Sequence, residues 1–432
     1  MLDRARQPKI QSLEHIELLK PERREMPNGV MLNVIRAGRE EVVRLDILVR
    51  GGRYQQSFPL QAVMTNRMLR EGTRSYTSAQ IAEKLDYYGA WLELSSGMEY
   101  SFLTVYSLNK YFPQVLQVVE SMVKEPAFPE RELQVILSAN RQQYLVNSRK
   151  GDFVAQKYFC LSLFGNGHPR GRTVALDDYN AVTPDKLQTF HDTFYCSANS
   201  SLYLSGKVTD DILRETERVF GTGLWGKSRL RTEFIHYPIP TCKERELFVA
   251  RSESMQNSLR YGYLAIDQKH PDCLKLRVLI TLFGGYFGSR LMSNIREDKG
   301  YTYGISAALL FYPGAGVLAI ATEADAQYTG CITREIAREM QRLKDDPVAE
   351  LELSMVRNYM LGQMCRSFEG PFSLADAWSF IETNHLDDDY YRRALEAVQG
   401  VTAEDMHRLA NEYLRTEELV KVIVGKKNTN KH

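Results

Sequence analysis

The chain has 432 residues, about twice the length of an ordinary domain, with 44% apolar and 25% charged residues, the balance of a globular protein. A formal net charge of +1 leaves no basic footprint for nucleic acid, and no apolar run reaches the roughly 20 residues that a membrane span needs. The first ten residues include basic side chains but neither an apolar core nor a small-residue cleavage site, so no secretory signal is read there. Cysteines 160, 196, 242, 273, 331 and 365 form no C-x-x-C and no close pair, which points to reduced core thiols and a cytoplasmic address.

In chain order, residues 42–49 alternate as a half-buried strand. Gly51-Gly52 then leads to a helix around residues 62–69, closed by Gly72-Thr73, and to a second helix running from Ser78 to Tyr88-Gly89. Residues 91–96 and 100–106 read as a hairpin about Gly97, and residues 112–123 and 128–146 as amphipathic helices. Thr183 caps a helix with Asp185 in its first turn, and a strand ending in Gly206-Lys207 follows. Past a glycine-rich connection at 221–228, residues 276–283 read as helix, and 303–310 and 317–322 as strands flanking a turn at 313–316.

The second half repeats the first. Val182-Thr183-Pro184-Asp185 recurs as Val401-Thr402-Ala403-Glu404, and Gly206-Lys207 as Gly425-Lys426, both at an offset of 219 residues; Glu132 and Glu352 match at 220. A period this long implies two copies of one domain rather than a solenoid. Strands mixed with long helices and consecutive hairpins give an α+β class, divided into residues 1–225 and 226–432. The same spacing places the counterpart of the 62–69 helix around residues 283–287.

The eight histidines stand at 15, 168, 191, 236, 270, 385, 407 and 432, with no two inside five residues, so no helical turn offers a histidine pair to a metal. Gly284-Gly285-Tyr286-Phe287-Gly288 follows a helical run and not a strand, which argues against a dinucleotide loop. Cys160 and Cys196 lie near histidines without a nucleophile elbow, and His168-Pro169 reads as a structural loop. Tyrosines such as Tyr100 and Tyr106 read as sheet packing, since no basic surplus accompanies them.

The segment from Leu282 to Tyr303 resembles the M16 (pitrilysin, inverzincin) signature G-G-x-x-x-S-R-L-x-x-x-I-R-E-x-x-G-L-A-Y, departing from it mainly at Tyr301-Thr302. Segments 164–169 and 190–206 resemble the same family, and the likeness runs from about Asn33 to Gly425. The first half resembles the opening of M16 enzymes as well, where H-x-x-E-H stands on the first helix. Counted back from Gly72-Thr73, those positions hold Val63, Met64, Thr65, Asn66 and Arg67. The third ligand position falls near Asn140-Arg141-Gln142-Gln143-Tyr144, which has no carboxylate.

The resemblance implies two homologous α+β domains, each a mostly antiparallel sheet packed with helices, together forming half of a clam-shell. It implies that Arg296 and Tyr303 bind substrate main chain and stabilise the oxyanion, roles that suit a planar charged fork and a phenolic donor. This chain is then expected to hold no cofactor and to be inactive alone. It would work beside an M16 partner that carries the zinc and an intact H-x-x-E-H, cleaving an extended peptide. The alternative is a non-catalytic structural or peptide-binding protein of the same fold, resembling respiratory core subunits and able to hold peptide by strand addition. Glu93-Leu94 stands where the family often has Asn-Ala on the substrate edge, which puts substrate binding by the first half in doubt.

Overall fold

The computed structural model describes residues 18–427 except 230, 234 and 243. In the first half, β1 (Glu22–Glu25), β2 (Met31–Arg36) and β3 (Val42–Val49) precede α1 (Gln61–Met68) and α2 (Ser78–Tyr87). The hairpin β4 (Trp91–Ser96) and β5 (Ser101–Leu108) follows, then α3 (Phe112–Lys124), α4 (Glu130–Asn147), α5 (Gly151–Phe164), α6 (Pro184–Phe194), β6 (Ser200–Gly206) and α7 (Asp210–Thr216). The second half runs β7 (Glu246–Ala250), β8 (Asn257–Ala265), α8 (Cys273–Ile280), β9 (Thr302–Tyr312) and β10 (Ala315–Ala324). It ends with α9 (Thr329–Asp345), α10 (Glu350–Arg366), α11 (Pro371–Thr383), α12 (Tyr390–Gly400), α13 (Ala403–Tyr413) and β11 (Val420–Gly425).

Strand order is β1-β2-β6-β3-β5-β4 in one sheet and β7-β11-β8-β10-β9 in the other. Apart from the added β1, the two orders coincide, including the parallel β2–β6 and β7–β11 pairs among otherwise antiparallel neighbours. Thr183 and Thr402 each cap the helix before the last sheet strand of their half, as the repeat requires. The helix matching α1 is α8 with its π-helical continuation Thr281–Gly285. It begins well upstream of the 283–287 window, because the offset shortens toward the front of each half. The helix expected from residue 128 starts at Glu130, since Phe128 takes a left-handed φ of 47° and Pro129 occupies the cap.

One core lies between the first sheet and helices such as α3, where Leu45, Ile47, Val105 and Leu204 meet Val115, Val119 and Met122. A second fills the corresponding space in the other half, around Leu259, Tyr261, Ile320, Ile336 and Met406. The opposite sheet faces are covered by exchanged helices. Helix α5 leaves the first half to lay Val154, Phe159 and Leu163 on Val317, Val422 and Val424. Helix α11 returns the favour, packing Leu374, Trp378 and Ile381 on Ile35, Leu48 and Tyr203.

The exchange corrects the half-buried reading of residues 42–49. Strand β3 is buried on both faces, and on the α11 side Arg44 donates to Asp46 at 2.7 Å and to Asp376 on α11. Gly262 on β8 is the matching accommodation under α5: a Cβ there would meet the Leu318 carbonyl oxygen at 1.9 Å and the Phe159 ring at 3.0 Å.

Candidate functional site

Helix α1 shows what replaced the metal-binding pattern. Val63 packs partly buried against the first core, and Met64 and Thr65 are buried, with Thr65 Oγ1 donating to the Gln61 carbonyl at 2.9 Å. Asn66 is 2% exposed, and its Nδ2 donates to the Phe102 carbonyl at 3.3 Å and the Tyr195 hydroxyl at 3.1 Å. Burial pushes the Tyr195 phenol up to about 12, so it stays a neutral partner. Arg67 is exposed. On α4, Asn140 donates to the Ile136 carbonyl of its own helix at 2.9 Å, and the Tyr144 hydroxyl reaches the Val174 carbonyl at 3.0 Å. An aliphatic side chain, a committed carboxamide and a guanidinium do not fit zinc. Among the described residues no three His, Cys, Asp or Glu side chains gather as a metal site.

The segment from Leu282 to Tyr303 is built differently. Gly284 brings the helix end against β9, where a Cβ would lie 2.6 Å from the Ala307 methyl. Arg290 forms a fork with Glu352 on α10 at 2.8 and 3.0 Å, and Asn294 Nδ2 donates to Glu339 at 2.6 Å and Glu335 at 3.0 Å on α9. These contacts fasten the π-helical segment Met292–Asp298, and Gly300, at φ 64°, turns the chain into β9. Tyr301 stacks on Tyr328 with ring centroids 4.7 Å apart, filling the position where small apolar residues were expected.

Arg296 and Tyr303 flank that turn. Arg296 lies over the Phe287 ring at 4.6 Å, and Phe287 is itself 61% exposed. Tyr303 is the second residue of β9, the free edge of its sheet, and is 89% exposed. Neither side chain forms a hydrogen bond or ion pair among the described residues, while the Arg296 carbonyl accepts from the Gly300 N–H at 3.1 Å. Tyr303 borders a cavity of about 330 Å³ with Arg260 of β8, Glu323 of β10 and Asp152 of the exchanged α5. Burial lowers the Arg260 guanidinium from its ordinary value, partly offset by Asp152 and Glu323.

Arg260, Asp152 and Phe287 were not singled out from sequence. Asp152 comes to the cavity only through the helix exchange, for which no sequence signal exists. Phe287 lies inside the signature, in the bend between Thr281–Gly285 and Met292–Asp298, and no helical spacing links it to Arg296.

The comparisons agree with this architecture. The family model described as "Insulinase (Peptidase family M16)" matches residues 61–161, and that described as "Peptidase M16 inactive domain" matches residues 181–360. The chain belongs to the M16 peptidase family and lacks that family's H-x-x-E-H. Among its relatives, the "Uncharacterized zinc protease YmxG" of Bacillus subtilis (strain 168) is 24% identical over 308 residues, 70% of this chain and 73% of that protein. An "Uncharacterized zinc protease" of Rickettsia felis is 22% identical over 404 residues, 90% and 93% of the two chains. In fold, the chain is similar to a "peptidase M16 inactive domain from Pseudomonas fluorescens", with a TM-score of 0.85 at 20% identity, covering 96% of this chain and all of that one. A protease from Helicobacter pylori follows with a TM-score of 0.81 at 15% identity, covering 94% of this chain and 100% of that one.

Proposed function

We propose that this chain is the non-zinc-binding subunit of a heterodimeric M16-type metallopeptidase and supplies Arg296 and Tyr303 in trans. One asymmetry carries the reading. The first half's H-x-x-E-H positions are aliphatic, cationic or hydrogen-bonded into the core. The second half instead holds a guanidinium with no ion pair among the described residues and an exposed phenol, on a firmly braced segment.

On this reading the partner's intact H-x-x-E-H holds the zinc and performs the bond cleavage. This chain's own contribution is binding: the Arg296 fork donates to substrate carbonyls, and the Tyr303 O–H donates to the oxygen that gains charge. The exposed edge of β9 offers main-chain groups along which an extended peptide can add as a strand. The two chains close as the halves of a clam-shell around that peptide. Six unpaired cysteines favour a cytoplasmic setting for the pair. Among the described residues no helix is long and apolar enough to cross a membrane.

The test is peptide cleavage by a zinc-motif M16 chain alone, by this chain alone, and by both together. Activity only in the mixture is expected. Full activity of the zinc-bearing chain alone would instead favour the scaffold reading.

A further inference from the structure

A second cavity, lined by neither Arg296 nor Tyr303, is a groove of about 390 Å³ enclosed by α8, α10, α11 and α12. Its volume falls within the roughly 300–1,000 Å³ of small-molecule sites. Tyr359, Met360, Met364, Phe368 and Phe380 make its walls mostly apolar, and no aspartate or glutamate lines it. The cavity beside Tyr303, by contrast, carries Asp152 and Glu323 as well as Arg260.

The one charged residue lining the groove is Arg277 of α8. Its neighbours in the second half are matched to carboxylates: Arg290 to Glu352, Arg357 to Glu350 and Arg408 to Asp272. Arg277 has no such partner among the described residues, and its side chain makes one hydrogen bond, from Nη1 to the Tyr390 hydroxyl at 2.7 Å. That hydroxyl, on a residue 2% exposed, also accepts from Gln268 Nε2 at 3.2 Å. With two donors directed at its oxygen, the Tyr390 proton has no acceptor among the described residues and is left to donate.

We propose that this groove binds a small apolar carboxylate. The carboxylate would pair with Arg277 and accept the Tyr390 proton, while its hydrocarbon or aryl body lies among the methionines and aromatic rings. The chemistry of the lining selects this class. An unpaired guanidinium with free donors matches a carboxylate as a planar fork, and the walls reward an apolar tail. A neutral amphiphile would leave the guanidinium uncompensated, and a cation would be repelled.

Calorimetric titration of the full chain with octanoate, octan-1-ol and octylammonium tests the assignment. Octanoate should bind and octylammonium should not. Arg277→Gln should weaken octanoate at least tenfold, as loss of a charged hydrogen-bonding partner does, and leave octan-1-ol unchanged. Arg277→Lys should recover part of the affinity. Met360→Trp, which fills the groove while leaving Arg277 in place, should abolish octanoate binding, and circular dichroism of each variant establishes that it is folded. A parallel titration uses a short peptide ending in phenylalanine, as the free acid and as the amide. Absence of octanoate binding to the wild-type chain, unchanged octanoate affinity in folded Arg277→Gln, or binding of the peptide acid alone would each overturn the proposal.

Discussion

Truncating Trp378 to alanine tests whether the exchanged helices make one cooperative unit of the two halves. Trp378 sits on α11, is 1% exposed, and packs against Ile35, Leu48 and Tyr203 of the opposite half. Its Nε1 also donates to the Leu19 carbonyl at 2.9 Å. Emptying a buried tryptophan site costs about 3–5 kcal/mol. Leu19 is 47% exposed, so its carbonyl regains water and the lost hydrogen bond adds little. A loss near 4 kcal/mol is a large part of the roughly 5–15 kcal/mol that holds a typical domain folded.

Urea unfolding should be followed by far-UV circular dichroism and by fluorescence, with the two curves coinciding in a single transition. Trp378→Ala should shift that whole transition to lower urea. The reciprocal change Phe159→Ala, on the helix lent in the other direction, should shift the same transition by a comparable amount. Two separate transitions in the wild-type chain, or a loss below about 1 kcal/mol for Trp378→Ala, the level of a surface substitution, would refute the coupling.

Three further outcomes are expected. Protein purified without chelator should carry no stoichiometric zinc by elemental analysis, because Val63, Asn66 and Arg67 stand where the motif has histidine, glutamate and histidine; one tightly held zinc per chain would contradict this. The hydrogen bonds from Arg408, aided by the Tyr413 hydroxyl, hold the Asp272 carboxyl below the usual carboxylate range. A depressed folded-state value means that this stabilisation is complete above about pH 4, the unfolded aspartate value, and is lost as pH falls through the lower folded one. Asp272→Asn should therefore flatten the acid limb of a stability-versus-pH curve; an unchanged limb would count against the pairing. Asn66→Asp would place a carboxylate under the Phe102 carbonyl with no charge partner, and thermal unfolding should fall by several degrees at neutral pH, less so in acid.

Much of the fold was legible because its signals are local. The β4–β5 hairpin follows from alternation around Gly97, and the threonine caps at 183 and 402 exposed the duplication. The exchange of α5 and α11 was not legible. An apolar helix face states that it will be buried and not against which sheet, and that choice rests on contacts between residues far apart in the chain, such as Phe159 with Val424 and Trp378 with Ile35. The same limit explains the misreading of β3, where Arg44 and Asp46 look like solvent-facing residues until α11 covers them. At the candidate site, Arg296 and Tyr303 were singled out through the family pattern, whereas Arg260 and Asp152 reach the neighbouring cavity only by topology.

The most direct measurement is turnover by the proposed heterodimer, reconstituted with a zinc-motif M16 chain, when this chain carries Arg296→Ala or Tyr303→Phe. Assembly with the zinc-bearing subunit, monitored by light scattering, should be unchanged. Tyr303→Phe, which removes the O–H that donates to the oxygen gaining charge, should lower turnover about 100- to 1,000-fold, and Arg296→Ala, which removes the donors to substrate carbonyls, should lower it as well. Wild-type turnover from both variants in an intact complex would contradict a catalytic contribution from this chain.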